Sequence, residues 1–220
     1  MFKSSTVLLC LLSIAVAMEV PNLPAFKEFL DSENDSPTCK RETAKFKHCF
    51  NDVTEDAKEF QNSTGFPSRK EVLAKLPEIH SSLKCVGEVT CNKLVLLKYI
   101  IESGAYALEK FFDKGYECLN ENNMKQALMF CLIQNMPSEA VETHDVRFIA
   151  TQAKPIARCV ATAQKCQEPA KKEFLKGAVA FGELLGVVTN LGFAAQAGDN
   201  SYIEKFGKKF DRAEFDQLEL

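Results

Sequence analysis

The chain has 220 residues, 27 basic and 30 acidic side chains and a net charge of −3. That balance excludes the basic surface needed to neutralise nucleic-acid phosphates, and no segment restores it: residues 18–38 carry −4, residues 39–166 carry +2 and residues 167–220 carry −2. A chain of this length can close an ordinary core, so its nine cysteines reinforce burial rather than replace it.

Lys3, the apolar run Val7 to Val16 and the small residues Ala15-Val16-Ala17 have the layout of a secretory signal peptide cleaved before Met18. The run is too short to span a bilayer, so a secreted, extracellular protein without a transmembrane anchor is expected. Cys10 leaves with the leader. The remaining Cys39, Cys49, Cys85, Cys91, Cys118, Cys131, Cys159 and Cys166 are an even number in an oxidising compartment, and four disulfides are expected. Loss of Lys3 leaves 26 basic and 30 acidic side chains, a net charge of −4. The expected organisation is a signal peptide (1–17), an acidic N-terminal arm (18–38), a cysteine-rich helical domain (39–166) and a cysteine-free C-terminal helical extension packed on it (167–220).

Apolar residues recur at helical spacing and strand-like alternation is scarce, so the fold class is all-α, a disulfide-crosslinked bundle of seven or eight helices. Ser36 and Pro37 start a first helix whose stripe runs from Cys39 through Phe46, Cys49, Phe50, Val53 and Ala57 to Phe60. Ser68 and Glu71 have capping-box spacing ahead of Val72, Leu73 and Leu76, and Pro77 is expected to end or kink that helix. Ile79 and Leu83 lead to Cys85. A longer helix is predicted from about Thr90 to Asp113, with Cys91, Leu94, Ile101, Ala105, Leu108 and Phe112 inward and Gly115 as terminator. Further helices are predicted from Asn123 to Asn135, closed by Pro137; from Ser138 with Val141, Phe148 and Ile149; from Pro155 with Cys159, Ala163 and Cys166; and from Pro169 onward.

Spacing restricts the bridges. Ten residues of unbroken helix separate Cys39 from Cys49 by ~15 Å, and seven separate Cys159 from Cys166 by ~10 Å, beyond the roughly 7 Å a disulfide spans. Neither pair is expected to form. The nine residues between Cys39 and Cys49 match the twin-helix proteins of mitochondrial oxidative import, but the other intervals of 5, 12 and 6 do not. Zinc is not expected, because Cys-x2-Cys and His-Glu-x-x-His are both missing. Nor is catalysis: His48, His80 and His144 read as surface or boundary residues, no Gly-x-Ser-x-Gly elbow accompanies them, and paired cysteines offer no nucleophile. No cofactor is expected.

Asn62-Ser63-Thr64 is an N-glycosylation sequon in a predicted loop. Asn34-Asp35-Ser36 is a second, hindered by Pro37. Residues 177–197 are nearly all apolar and contain Gly182 and Gly186 at Gly-x-x-x-Gly spacing, interrupted by Glu183, Thr189 and Asn190. Two readings stand: a central helix buried by the others, or one wall of a lipid site with Phe174, Phe181, Leu185 and Val188 in contact. The terminal Glu219-Leu220 matches retrieval tails of the endoplasmic reticulum, but Leu218 replaces the expected acid, so secretion is favoured.

At Lys45-Phe46-Lys47-His48-Cys49, at Cys85 and Cys91, and at Glu109-Lys110-Phe111-Phe112 leading to Cys118 and Cys131, the chain resembles a nematode-expanded group of secreted cysteine-rich proteins known as domain of unknown function nineteen. The resemblance covers about residues 39–166 and implies an exported all-helical module with no assigned catalytic residues. The family pattern has twelve cysteines, so two of its bridges are missing here. The expected function is an extracellular binding or interaction module for a protein or glycan; the alternative is an extracellular carrier of fatty acids or similar lipids.

Overall fold

The computed structural model describes residues 36–51, 53, 68–119, 121–137 and 148–219. The leader, most of the acidic arm, Asn34, Ala57, Phe60, Asn62, His144 and residues 138–147 of the helix predicted from Ser138 lie outside the described residues; Ile149, placed in that helix by the sequence, instead opens the helix that carries Cys159. Among the described residues the protein is all-α, with eight α-helices: α1 Pro37–Cys49, α2 Arg69–Val86, α3 Asn92–Phe112, α4 Glu121–Asn135, α5 Ile149–Ala163, α6 Glu168–Gln196, α7 Ser201–Lys205 and α8 Arg212–Asp216. A 3-10 turn, Tyr116–Cys118, links α3 to α4.

Two compact units divide inside α3, one up to Lys98 and the other from Tyr99.

In the first unit, Ser36 accepts the Cys39 N–H at 3.1 Å, and Pro37 follows where no intrahelical donor is needed. Both ends of α1 are then fixed covalently, by Cys39–Cys91 (Cα–Cα 5.1 Å) and Cys49–Cys85 (5.7 Å). The α2 cap is reciprocal: Ser68 Oγ accepts the Glu71 N–H, and Glu71 Oε2 accepts the Ser68 N–H at 2.6 Å. Pro77 does not end α2 but lies inside it. Val72, Leu76, Leu83 and Val86 form one buried stripe running past the exposed proline, and burial beyond Pro77 offsets the roughly 3 kcal/mol of an interior proline. The start of α3 is capped from another helix, because the Glu42 carboxylate accepts the Thr90 N–H (2.9 Å), the Thr90 hydroxyl (2.8 Å) and the Cys91 N–H (3.0 Å).

In the second unit, Cys118–Cys166 and Cys131–Cys159 have Cα–Cα distances of 5.2 and 5.7 Å. Neither of the pairs excluded from helix spacing occurs, although Cys166 lies beyond the end of α5 rather than on it. Pro155 does not open α5 but sits inside it; Ala153, Ile156 and Val160 carry the buried face across this exposed residue, as at Pro77.

α6 packs extensively on α5. Gly182 permits this: a Cβ there would lie 2.6 Å from the Ala153 carbonyl oxygen. Phe174, Leu175, Val179, Ala180 and Leu184 are buried along the first part of α6.

Candidate functional site

The second part of α6 is less covered, and the chain reverses there. Gly198 at φ 66° closes a Schellman motif, in which its N–H donates to Ala195 O at 3.1 Å and the Asp199 N–H donates to Ala194 O at 2.8 Å. Asp199 then accepts the Ser201 N–H at 2.8 Å and starts α7. Those hydrogen bonds with Ser201 hold the Asp199 carboxyl below its ordinary range. The Tyr202 hydroxyl donates to Val187 O at 3.3 Å and fastens α7 back along α6. Burial pushes this phenol up, against the opposing effect of a hydrogen bond with Asn190. Between the two helices lies an open groove of about 600 Å³, with Asn190, Phe193, Asp199, Tyr202, Lys205 and Phe206 in its wall.

The segment after the groove forms a strap. Phe206 and Phe210 pack on Tyr99 at ring-centroid distances of 5.5 and 6.2 Å, Phe210 and Phe215 pack on Tyr106 at 5.5 and 5.7 Å, and Phe210 stacks on Phe215 at 5.3 Å. Each contact joins two apolar bodies with ring geometry favourable to the quadrupole. Under the strap, Glu183 of α6 accepts hydrogen bonds from Tyr99 Oη and Lys154 Nζ, both at 3.1 Å, and pairs with Lys208. Burial pushes the Tyr99 phenol up to about 12, so it remains a proton donor.

A second network anchors α8. Tyr106 Oη donates to Asp216 at 2.9 Å, Lys110 bridges Asp216 (3.3 Å) and Glu173 (2.7 Å), Lys176 meets Glu173 at 2.6 Å, and Arg212 meets Glu109 at 2.6 Å. Burial alone would raise both carboxyls. Bonds from Lys110 and Lys176 outweigh it at Glu173, bonds from Tyr106 and Lys110 outweigh it at Asp216, and both groups titrate below their ordinary values. These charges satisfy one another and hold elements together.

Phe174 and Phe181, expected to touch lipid, are buried against Phe111 at centroid distances of 5.0 and 6.3 Å, whereas Leu185 and Val188 are half-buried. His48 and His80 are exposed. Among the described residues, no group of three His, Cys, Asp or Glu side chains is placed to hold a metal ion. Sequence reasoning missed the groove, the strap and the Glu42 cap; the one signal available was Glu183, a carboxylate set in an apolar run. Glu168–Ala195 is long and apolar enough to cross a membrane by length and composition, but its first part is occupied as core. Comparison with protein-family models, curated proteins and solved structures finds no match.

Proposed function

We propose that the protein is a secreted, disulfide-reinforced binding module without a catalytic centre, directed at an extracellular protein or glycan. The observation that carries this reading is the closure of all eight cysteines outside the leader into four bridges, an arrangement suited to an oxidising compartment. The signal-like residues 1–17, the sequons at Asn62 and Asn34 and the resemblance to the nematode cysteine-rich family support the same assignment. So does the mutual pairing of Glu173, Glu183 and Asp216 with Lys110, Lys154, Lys176 and Lys208. Expression in a secretory host should yield protein beginning at Met18, with a glycosidase-sensitive mass lost in Asn62→Gln. Retention inside the cell with the leader uncleaved would overturn export.

The alternative, a carrier of fatty acids or similar lipids, draws support from the groove and from the half-buried Leu185 and Val188 on the same helix. Native mass spectrometry separates the two readings. A carrier retains a co-purifying lipid released on denaturation; the interaction module emerges empty and has no affinity for a fluorescent fatty acid.

A further inference from the structure

The groove between α6 and α7 carries more chemistry than an apolar slot. Its wall includes three aromatic rings, Phe193, Tyr202 and Phe206, and the last two stand 6.1 Å apart with planes inclined at 52°. Aromatic rings attract soft cations through their π faces. Asp199 adds a full negative charge on the same wall, and the carbonyl end of α6 adds the negative pole of its dipole. Lys205 supplies the opposite chemistry, a cation, at the α7 side, while Ser201 is spent on Asp199, which its side chain and N–H both hydrogen-bond. The charges lining the groove therefore balance.

We infer that this groove binds a zwitterionic phosphocholine head, with its trimethylammonium group among Phe193, Tyr202, Phe206 and Asp199 and its phosphate at Lys205. Other ligand classes use only part of the wall. A fatty-acid carboxylate uses Lys205 and leaves the rings and Asp199 without a cation; a bare phosphate does the same; a simple organic cation leaves Lys205 without an anion. About 600 Å³ exceeds what the head alone fills, and Ala194 and Ala197 extend the wall with apolar surface for the atoms that follow it.

The inference rests on the reading of the chain as a binding protein. Its test is a titration of the secreted, oxidised protein with phosphocholine, followed by amide chemical shifts, with inorganic phosphate and tetramethylammonium as separate arms. Phosphocholine at millimolar concentration should shift residues 190–206 and bind more tightly than either fragment. Asp199→Asn and Tyr202→Leu should each weaken it about three- to tenfold, the range set by loss of a cation contact. Asp199 is exposed, so its variant keeps the test standing should Tyr202→Leu fail to fold. Retention on phosphatidylcholine but not phosphatidylglycerol vesicles assigns the head to a lipid; binding of free phosphocholine without vesicle retention assigns it to a soluble or glycan-borne source, and both support the site. No shift with phosphocholine, equal binding of phosphate alone, or affinity unchanged in both variants overturns it. A protein that captures another partner yet ignores phosphocholine defeats this assignment and leaves the binding reading intact.

Discussion

The unit ending at Lys98 and the unit beginning at Tyr99 carry the same covalent device in different surroundings. Each has two nested bridges, an outer one enclosing an inner one: Cys39–Cys91 around Cys49–Cys85 in the first, Cys118–Cys166 around Cys131–Cys159 in the second. In the first, the described partners of α1 are α2, the bridges and the Glu42 cap. In the second, α5 also rests on α6, and a strap with three phenylalanines packs on Tyr99 and Tyr106 beside a charge network. Both units bury an apolar core, and the crosslinks carry the larger share of support in the first, where no comparable ring cluster and charge network stand beside them among the described residues.

The largest expected effect comes from removing the device where it matters most. Replacing Cys39, Cys49, Cys85 and Cys91 by Ser should cost about 2–4 kcal/mol per bridge and abolish hydrogen-exchange protection in α1 and α2. The same replacement of the four later cysteines should leave α6 measurably protected. Equal loss in both units would erase the contrast.

Next is the strap. Phe215 is buried on Tyr106 and Phe210, and Phe215→Ala should destabilise the second unit by about 3–5 kcal/mol in a denaturant titration while α1 and α2 keep their protection. Acid should act on the same unit. Asp216 and Glu173 have lowered folded values, so their contribution is present above the unfolded carboxyl range near pH 4 and is lost as pH falls through the folded values. Asp216→Asn should flatten that decline below about pH 4, as read from thermal melts. The smallest effect is in the first unit, where Glu42→Ala should cost about 1 kcal/mol, seen as faster exchange at the start of α3.

What the sequence reveals divides along interaction range. The Ser36 cap and the Ser68–Glu71 box are readable because each is settled within four residues. The exclusion of Cys39–Cys49 follows from helix rise alone. Pro77 and Pro155 mislead because a local rule about proline is outweighed by buried stripes on both sides of it, and the stripes depend on partners distant in sequence. Glu42 meets Cys91 across 49 positions and Tyr99 meets Glu183 across 84, so neither the cap nor the charge cluster has a local signature. The groove was equally hidden. Gly198 and Asp199 mark a reversal, but only the return of Tyr202 to Val187 makes that reversal a cavity.

The oxidised state of the cysteines supports both units and the extracellular assignment at once. Alkylation of the secreted, unreduced protein followed by peptide mass mapping tests it directly. The account predicts no labelled thiol and four crosslinked peptides joining Cys39 to Cys91, Cys49 to Cys85, Cys118 to Cys166 and Cys131 to Cys159. Label on most of the eight, or a Cys39–Cys49 peptide, would contradict it.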